Sequence, residues 1–332
     1  MALALPVSPS LNSTIVRTMT RSFSASARHA ALRVGMAVAS RVAPHWTVRT
    51  ASRLFVTPPR FAHPALELAL LAQGTRHDVF SPAGRVSAWQ FGAADAPAII
   101  ASHGWGGRGA QFRAFVAPLT AAGFQVWLFD HVGHGQSEGR EASLVDFAAG
   151  VAAVHRNVTD RGITVHGLIS HSLGGAGVGT ALRGFNGTAA IDAARVVLIA
   201  PPSSLMRYSR LFARHIGLPE RIRAAMQWRF EQRYGVKWQS FEMPQAVAGL
   251  KAQALVIHDT ADRDVNIESG LTVARSWPNA RFKRTTGLGH RRILKSQEVI
   301  QDTVDFLTGQ VIFSPPPPVD EWQAFPGPAP LF

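Results

Sequence analysis

The chain contains no cysteine. That single absence removes disulfides, thiolate zinc sites and a cysteine nucleophile together, and it disfavours a small disulfide-stapled secreted domain. Nor is there a run of the roughly 18–20 apolar residues needed to cross a bilayer, so no stable membrane span is expected. Acid is missing from an entire segment: nothing acidic precedes Glu67, while residues 1–60 hold eight arginines. The formal charge of +13 looks at first like that of a nucleic-acid binder. Only +5 of it remains beyond residue 60, so the body is mildly basic and no nucleic-acid partner is expected.

The arm is rich in Ser, Ala and Arg and poor in acid, the composition of an organellar transit peptide. A plain extension, or an upstream start in an Arg- and Ala-rich sequence, has the same bias, and this is the reading we take. A cytoplasmic protein follows, with an organelle as the alternative if the arm is a transit peptide. A secretory signal fits poorly because arginine interrupts each short apolar run. The segment from Ala31 to Phe55 reads as one or two amphipathic helices broken at Pro44, lying on the body or in peripheral contact with a membrane. At the other end, residues 313–332 are Pro-rich and without periodicity, which reads as an irregular tail.

Between arm (1–58) and tail lies a body, residues 59–312, of about the size of one α/β domain. His77–Phe80 and Arg85–Phe91 flank the turn signal at Ser81-Pro82-Ala83-Gly84 and read as a hairpin. Strands then follow at Ala98–Ser102, Gln125–Asp130, Ile163–Ser170, Val196–Ala200, Ala254–His258 and Arg281–Thr286. Helical patterns occupy the region around Phe112–Leu119, then Ser143–Val158, Leu173–Leu182, Ser269–Trp277 and Gln297–Leu307. This alternation implies a mostly parallel twisted sheet with helices on both faces. From about 203 to 245 arginine, aromatics and methionine replace the β-branched runs, which marks a small helical cap insertion.

The segment that carries chemistry is Ser170-His171-Ser172-Leu173-Gly174-Gly175. A buried strand runs into a helix through a turn centred on Ser172, and small residues two before and two after it are needed to let strand and helix approach. Gly174 meets the second requirement. Ser170 stands where glycine is usual. A serine needs a base and an acid, and in this architecture they follow in the order Ser, acid, His. Asp262, after the strand ending near His258, and His290, on the Gly-flanked loop after the last strand, supply that order. Asp259 and Asp264 are rivals for the acid. The Gly-rich loop His103-Gly104-Trp105-Gly106-Gly107 can offer a backbone N–H from Trp105 to an oxyanion, with Leu173 as the second donor.

Other readings are weaker. The glycines from Gly174 to Gly179 would need lysine next to form a phosphate loop, and Thr180 stands there. His131 and His134 have a spacing that could interest a metal, but no carboxylate cluster or third ligand accompanies them, so neither metal nor cofactor is expected.

His103–Gly107, Asp130–Ser137, Ser170–Gly175, His258–Val265 and Gly287–Leu294 together resemble the α/β-hydrolase superfamily, above all its capped lipase, esterase and serine-aminopeptidase-like branch. The resemblance spans roughly Leu66 to Leu307. It implies the α/β-hydrolase fold, a triad of Ser172, Asp262 and His290, oxyanion donors at Trp105 and Leu173, and a cap that shapes the pocket. The activity it implies is that of a serine hydrolase (esterase- or lipase-like) cleaving a carboxylic ester or thioester of a small-molecule acyl substrate through an acyl-enzyme. An acyltransferase, or a non-catalytic binding protein on the same fold, is the alternative.

Overall fold

Runs such as Ala98–Ala101 and Val196–Ile199 are apolar throughout rather than alternating, which suits strands covered on both faces. The computed structural model describes residues 11–310 and Pro316, with side chains from residue 27 onward. The tail expected at 313–332 therefore lies outside the described residues, Pro316 apart.

Two compact units emerge: the chain up to Ser52 together with Arg207–Phe230, and Arg53–Met206 together with the chain from Glu231 onward. In the larger unit eight strands form one sheet: β1 (Thr75–Ser81), β2 (Gly84–Phe91), β3 (Ala98–Ser102), β4 (Gln125–Phe129), β5 (Val165–His171), β6 (Arg195–Ile199), β7 (Gln253–Asp259) and β8 (Ala280–Thr285). Their spatial order is β1-β2-β4-β3-β5-β6-β7-β8. The β1–β2 and β2–β4 pairs are antiparallel, and every other pair is parallel. The predicted strands are all present, most shifted by a residue or two at their ends.

Between the parallel strands run helices, several of which bury a face on the sheet. The first two helices of the chain are α1 (Leu11–Val42) and α2 (Pro44–Val56). The larger unit then adds α3 (Ala65–Leu71), α4 (Arg113–Ala121), α5 (Leu144–Thr159) and α6 (Leu173–Arg183). Ser143 and Asp146 form a reciprocal capping box that starts α5. The insertion between β6 and β7 holds α7 (Leu205–Ile216), α8 (Glu220–Tyr234) and the short α9 (Met243–Val247). After β7 come α10 (Ile267–Ser276), the single turn α11 (Gly289–Arg292) and α12 (Gln297–Thr308). Ile99, Leu128, Ile169, Val197 and Leu255 line the centre of the sheet with no exposed surface. At the sheet's ends, β1 and β8 carry Arg76, Asp78, Lys283 and Arg284, charges that discourage edge-to-edge pairing.

In the smaller unit the helix expected from Ala31 begins at Leu11 instead, and ends, as expected, just before Pro44. No proline and only one glycine, Gly35, lie between Leu11 and Val42, so nothing stops the helix earlier. The sequence treats arm and insertion as separate pieces. They pack together: His29 Nε2 meets the His215 carbonyl at 2.8 Å with the two rings 4.3 Å apart, and Arg221 donates to the Ser40 carbonyl at 2.7 Å. Gly217, at φ +78°, lies so close to the Arg33 backbone that a β-carbon would come within 2.6 Å of its carbonyl.

Candidate active site

Ser172 joins β5 to α6 at φ +52° and ψ −128°, a backbone conformation that costs a side-chain-bearing residue about 1–3 kcal/mol. The turn is held on both sides. The Ser172 N–H donates to the Ile199 carbonyl at 2.9 Å, and its own carbonyl accepts from Gly175 at 2.8 Å. Close packing forces the small neighbours. A β-carbon on Gly174 would sit 2.4 Å from the Ser102 carbonyl oxygen and 2.6 Å from that of His103. At the other flank the Ser170 hydroxyl donates to the Val197 carbonyl at 3.3 Å, so the serine that replaces the usual glycine is bonded within the sheet.

The second and third residues expected from the sequence meet in space. His290 Nδ1 donates to Asp262 Oδ2 at 2.7 Å, which leaves Nε2 as the ring's outward nitrogen. Asp262 is buried, and its other oxygen accepts the N–H groups of Asp264 and Val265, each at 2.9 Å. Burial pushes its carboxyl up, but bonds from His258, His290 and the Val265 N–H outweigh burial and hold it well below the ordinary carboxylate range. His258 Nε2 stands 3.4 Å from the same Asp262 oxygen while donating to the Val265 carbonyl at 2.9 Å. The loop carrying His290 reaches the serine turn through His171, whose Nε2–H donates to the His290 carbonyl at 2.8 Å with the rings 4.6 Å apart. Burial first, then the neighbouring His290 charge, lowers the His171 imidazole to about 3, so it is neutral at ordinary pH.

The rival acids are placed otherwise. Asp264 is exposed. Asp259 is turned into the His290 loop: it accepts the N–H groups of Gly289 (2.9 Å), Leu288 (3.1 Å) and Ala261 (2.9 Å) and the Thr285 hydroxyl (2.8 Å). Sequence alone weighs Asp259 as a competitor to Asp262. Its contacts make it the organiser of the loop instead.

The loop after β3 closes on the serine turn. A β-carbon on Gly104 would fall 2.8 Å from Ser172 Cβ, so only glycine permits this approach. Neither the Trp105 nor the Leu173 backbone N–H has an acceptor among the described residues. Ser172, Leu173, Trp105 and His290 are all partly open to solvent, while Asp262 is not.

Of the loop's supports the sequence offers only His134, as a supporting or core histidine. His134 Nε2 accepts the Gly106 N–H at 3.1 Å while its Nδ1–H donates to the Val132 carbonyl at 3.0 Å. His103 donates to the Gly104 carbonyl at 2.8 Å and accepts the His131 N–H at 3.0 Å. Both acceptor roles require neutral rings, and burial depresses both, His134 to about 4. His131, weighed above for a metal, stacks on Phe147 at 3.8 Å and meets the Ser102 hydroxyl at 2.9 Å. Arg108, next along, forms a buried ion pair with Glu67 of α3. A histidine two residues before a Gly-x-Gly turn and one at its centre are the signal that could have found this support.

Comparison with known proteins follows the same outline. The family described as serine aminopeptidase, S33, matches residues 94–286, more than half of the chain. Human monoglyceride lipase is 36% identical over 83 residues, which cover 24% of this chain and 27% of that protein, so the chain matches about a quarter of this curated relative's length. Among solved structures, an esterase of Pyrococcus furiosus superposes with a TM-score of 0.59 at 19% identity, over 76% of this chain and 98% of that one. A carboxylesterase of Bacillus subtilis gives 0.54 at 19% identity, over 74% and 96%.

Proposed function

The chain belongs to the serine aminopeptidase S33 family of α/β hydrolases, and from that premise we propose that it is a serine hydrolase of carboxylic ester or thioester bonds. The observation that carries the proposal is the 2.7 Å Asp262–His290 bond on a loop tied to the turn in which Ser172 is held at φ +52°.

In this reading His290 Nε2 takes the Ser172 proton as Oγ attacks the acyl carbonyl. The Trp105 and Leu173 N–H groups, which have no acceptor among the described residues, receive the oxyanion. Asp262 fixes the Nδ1–H tautomer of His290 and stabilises the imidazolium that forms. His290 then protonates the leaving oxygen or sulfur, the acyl group stays on Ser172, and a water activated by His290 releases the acid. The ester rather than the amide is favoured by the named relatives, a lipase and two esterases, although the family's title speaks of an aminopeptidase.

The test is a fluorophosphonate probe and a panel of p-nitrophenyl esters applied to the wild type and to Ser172→Ala. Labelling and hydrolysis confined to the wild type are expected. Equal turnover in both proteins would sink the assignment.

A further inference from the structure

The smaller unit holds twelve arginines and one acid, Glu220, or +11 of the chain's formal +13. The larger unit, with the sheet, is left with +2. The charge is therefore a property of α1, α2, α7 and α8, and the source of the basic balance is sharper than the arm alone suggests.

The same unit leaves an apolar face uncovered. On α1, Met36 and Ser40 are buried, and His29 and Arg33 turn toward α7. Val34, Val38 and Val42 recur at intervals of four and are exposed by 64, 52 and 78%. Each lies two residues from Met36 or Ser40, about 200° around the helix, and so on the side away from the packing. Leu32 and, beyond the Pro44 break, Trp46 are exposed as well, as are Tyr208 and Leu211 of α7. Arg28 and Arg41 stand exposed beside the valines. Single exposed apolar residues are ordinary, but three in register on one helix, flanked by arginine, form a face.

We propose that this face of α1 docks on an anionic phospholipid surface, the valines entering the headgroup boundary and the arginines meeting lipid phosphate. An amphipathic helix with a basic rim binds in this way, and the acid-free sequence of the arm gives the required charge complementarity. Among the described residues no helix is long and apolar enough to cross a membrane, so contact is along the surface. A second copy of the chain is the poorer occupant, because pairing two such faces would bring two units of +11 together. Nucleic acid is poorer too, since it would be met by arginine rather than by a row of valines.

The experiment is co-sedimentation of the full chain with vesicles of phosphatidylcholine alone and of phosphatidylcholine mixed with phosphatidylglycerol. The double variant V34Q/V38Q keeps good helix formers at exposed positions, and its circular dichroism and soluble-ester turnover are checked alongside. The expected result is several-fold more protein sedimenting with the anionic vesicles, most of it released by high salt and most of it lost in the variant. No preference for anionic vesicles, undiminished binding of the variant, or retention on polyuridylate in preference to vesicles would each overturn the proposal. So would a dimer in sedimentation velocity that V34Q/V38Q dissociates. The readout is binding, so it stands whether or not Ser172 is the nucleophile.

Discussion

The imidazole of His134 accepts the Gly106 N–H, and this one bond ties the turn after β4 to the backbone beside Trp105. The Gly106 N–H lies one residue beyond the proposed oxyanion donor, so loss of its acceptor acts on the transition state more than on substrate binding. His134→Ala is expected to lower kcat at least tenfold with KM little changed, against the roughly 10²–10³ typical of deleting an oxyanion donor outright. His134→Gln, whose side-chain carbonyl can still accept, should recover part of the loss. Steady-state kinetics on a soluble ester decide it, and a change confined to KM would argue against the role.

Asp259 and Asp264 test the assignment of the acid from the other side. Asp264→Asn alters an exposed carboxylate and should leave kcat within about twofold, as surface changes usually do. Asp259→Asn weakens four bonds to the loop that carries His290, so melting temperature and kcat should fall together. Asp262→Asn should leave the melting temperature less affected than kcat, which is expected to drop on the order of 10³–10⁴-fold. Thermal melts run beside kinetics separate the three.

Buried neutral histidines make stability depend on pH. Burial lowers His134 to about 4 and His171 to about 3 in the folded chain, from an ordinary value of 6.5, and depresses His103 and His131 well below it. Between pH 6.5 and about 4 the unfolded chain therefore binds more protons, and stability is lost as pH falls. Each histidine contributes up to about 1.4 kcal/mol per pH unit in that window, and Asp130, whose carboxyl burial raises, works the opposite way. A melting temperature that falls from pH 7 to pH 4.5 is expected, and a flat profile would contradict the neutral cluster.

The serine turn is asymmetric in what it tolerates. Gly174→Ala places a β-carbon within 2.6 Å of two backbone carbonyl oxygens, which cannot move without opening the sheet. Loss of activity and a cost of more than about 2 kcal/mol are expected. Ser170→Gly removes one long hydrogen bond, 3.3 Å, and restores the commoner pattern. It should keep activity and lose about 1 kcal/mol or less. Urea denaturation of the two variants measures the contrast.

The sheet was legible because β3 to β7 are covered on both faces, and complete burial writes itself as unbroken apolar runs. Ser172 and Asp262 each follow such a run, whereas His290 follows the charged edge strand β8 and is read from the glycines that flank it. What escaped was whatever depends on distant packing. His134 and His103 act through their ring nitrogens on backbone groups both near and far along the chain, and the glycines around them hint at a support without showing which groups it holds. Asp259 and Asp262 differ only in which way their carboxylates turn, a choice made by the fold of the loop from Gly287 onward. The union of α1 with α7 and α8 was hidden for the same reason, since the partners lie about 180 residues apart.

The buried pair of Glu67 with Arg108 bears on where the chain can be cut. Family similarity begins at residue 94, yet the arginine just beyond the Gly-rich loop is neutralised by a glutamate from α3, ahead of the first strand. A fragment trimmed to start there would keep Ser172, Asp262 and His290 but leave Arg108 charged and alone in a dry site, a defect of about 3–5 kcal/mol. The smallest self-sufficient piece therefore starts upstream of Glu67, and the few residues of α3 belong to the catalytic body as much as any strand does.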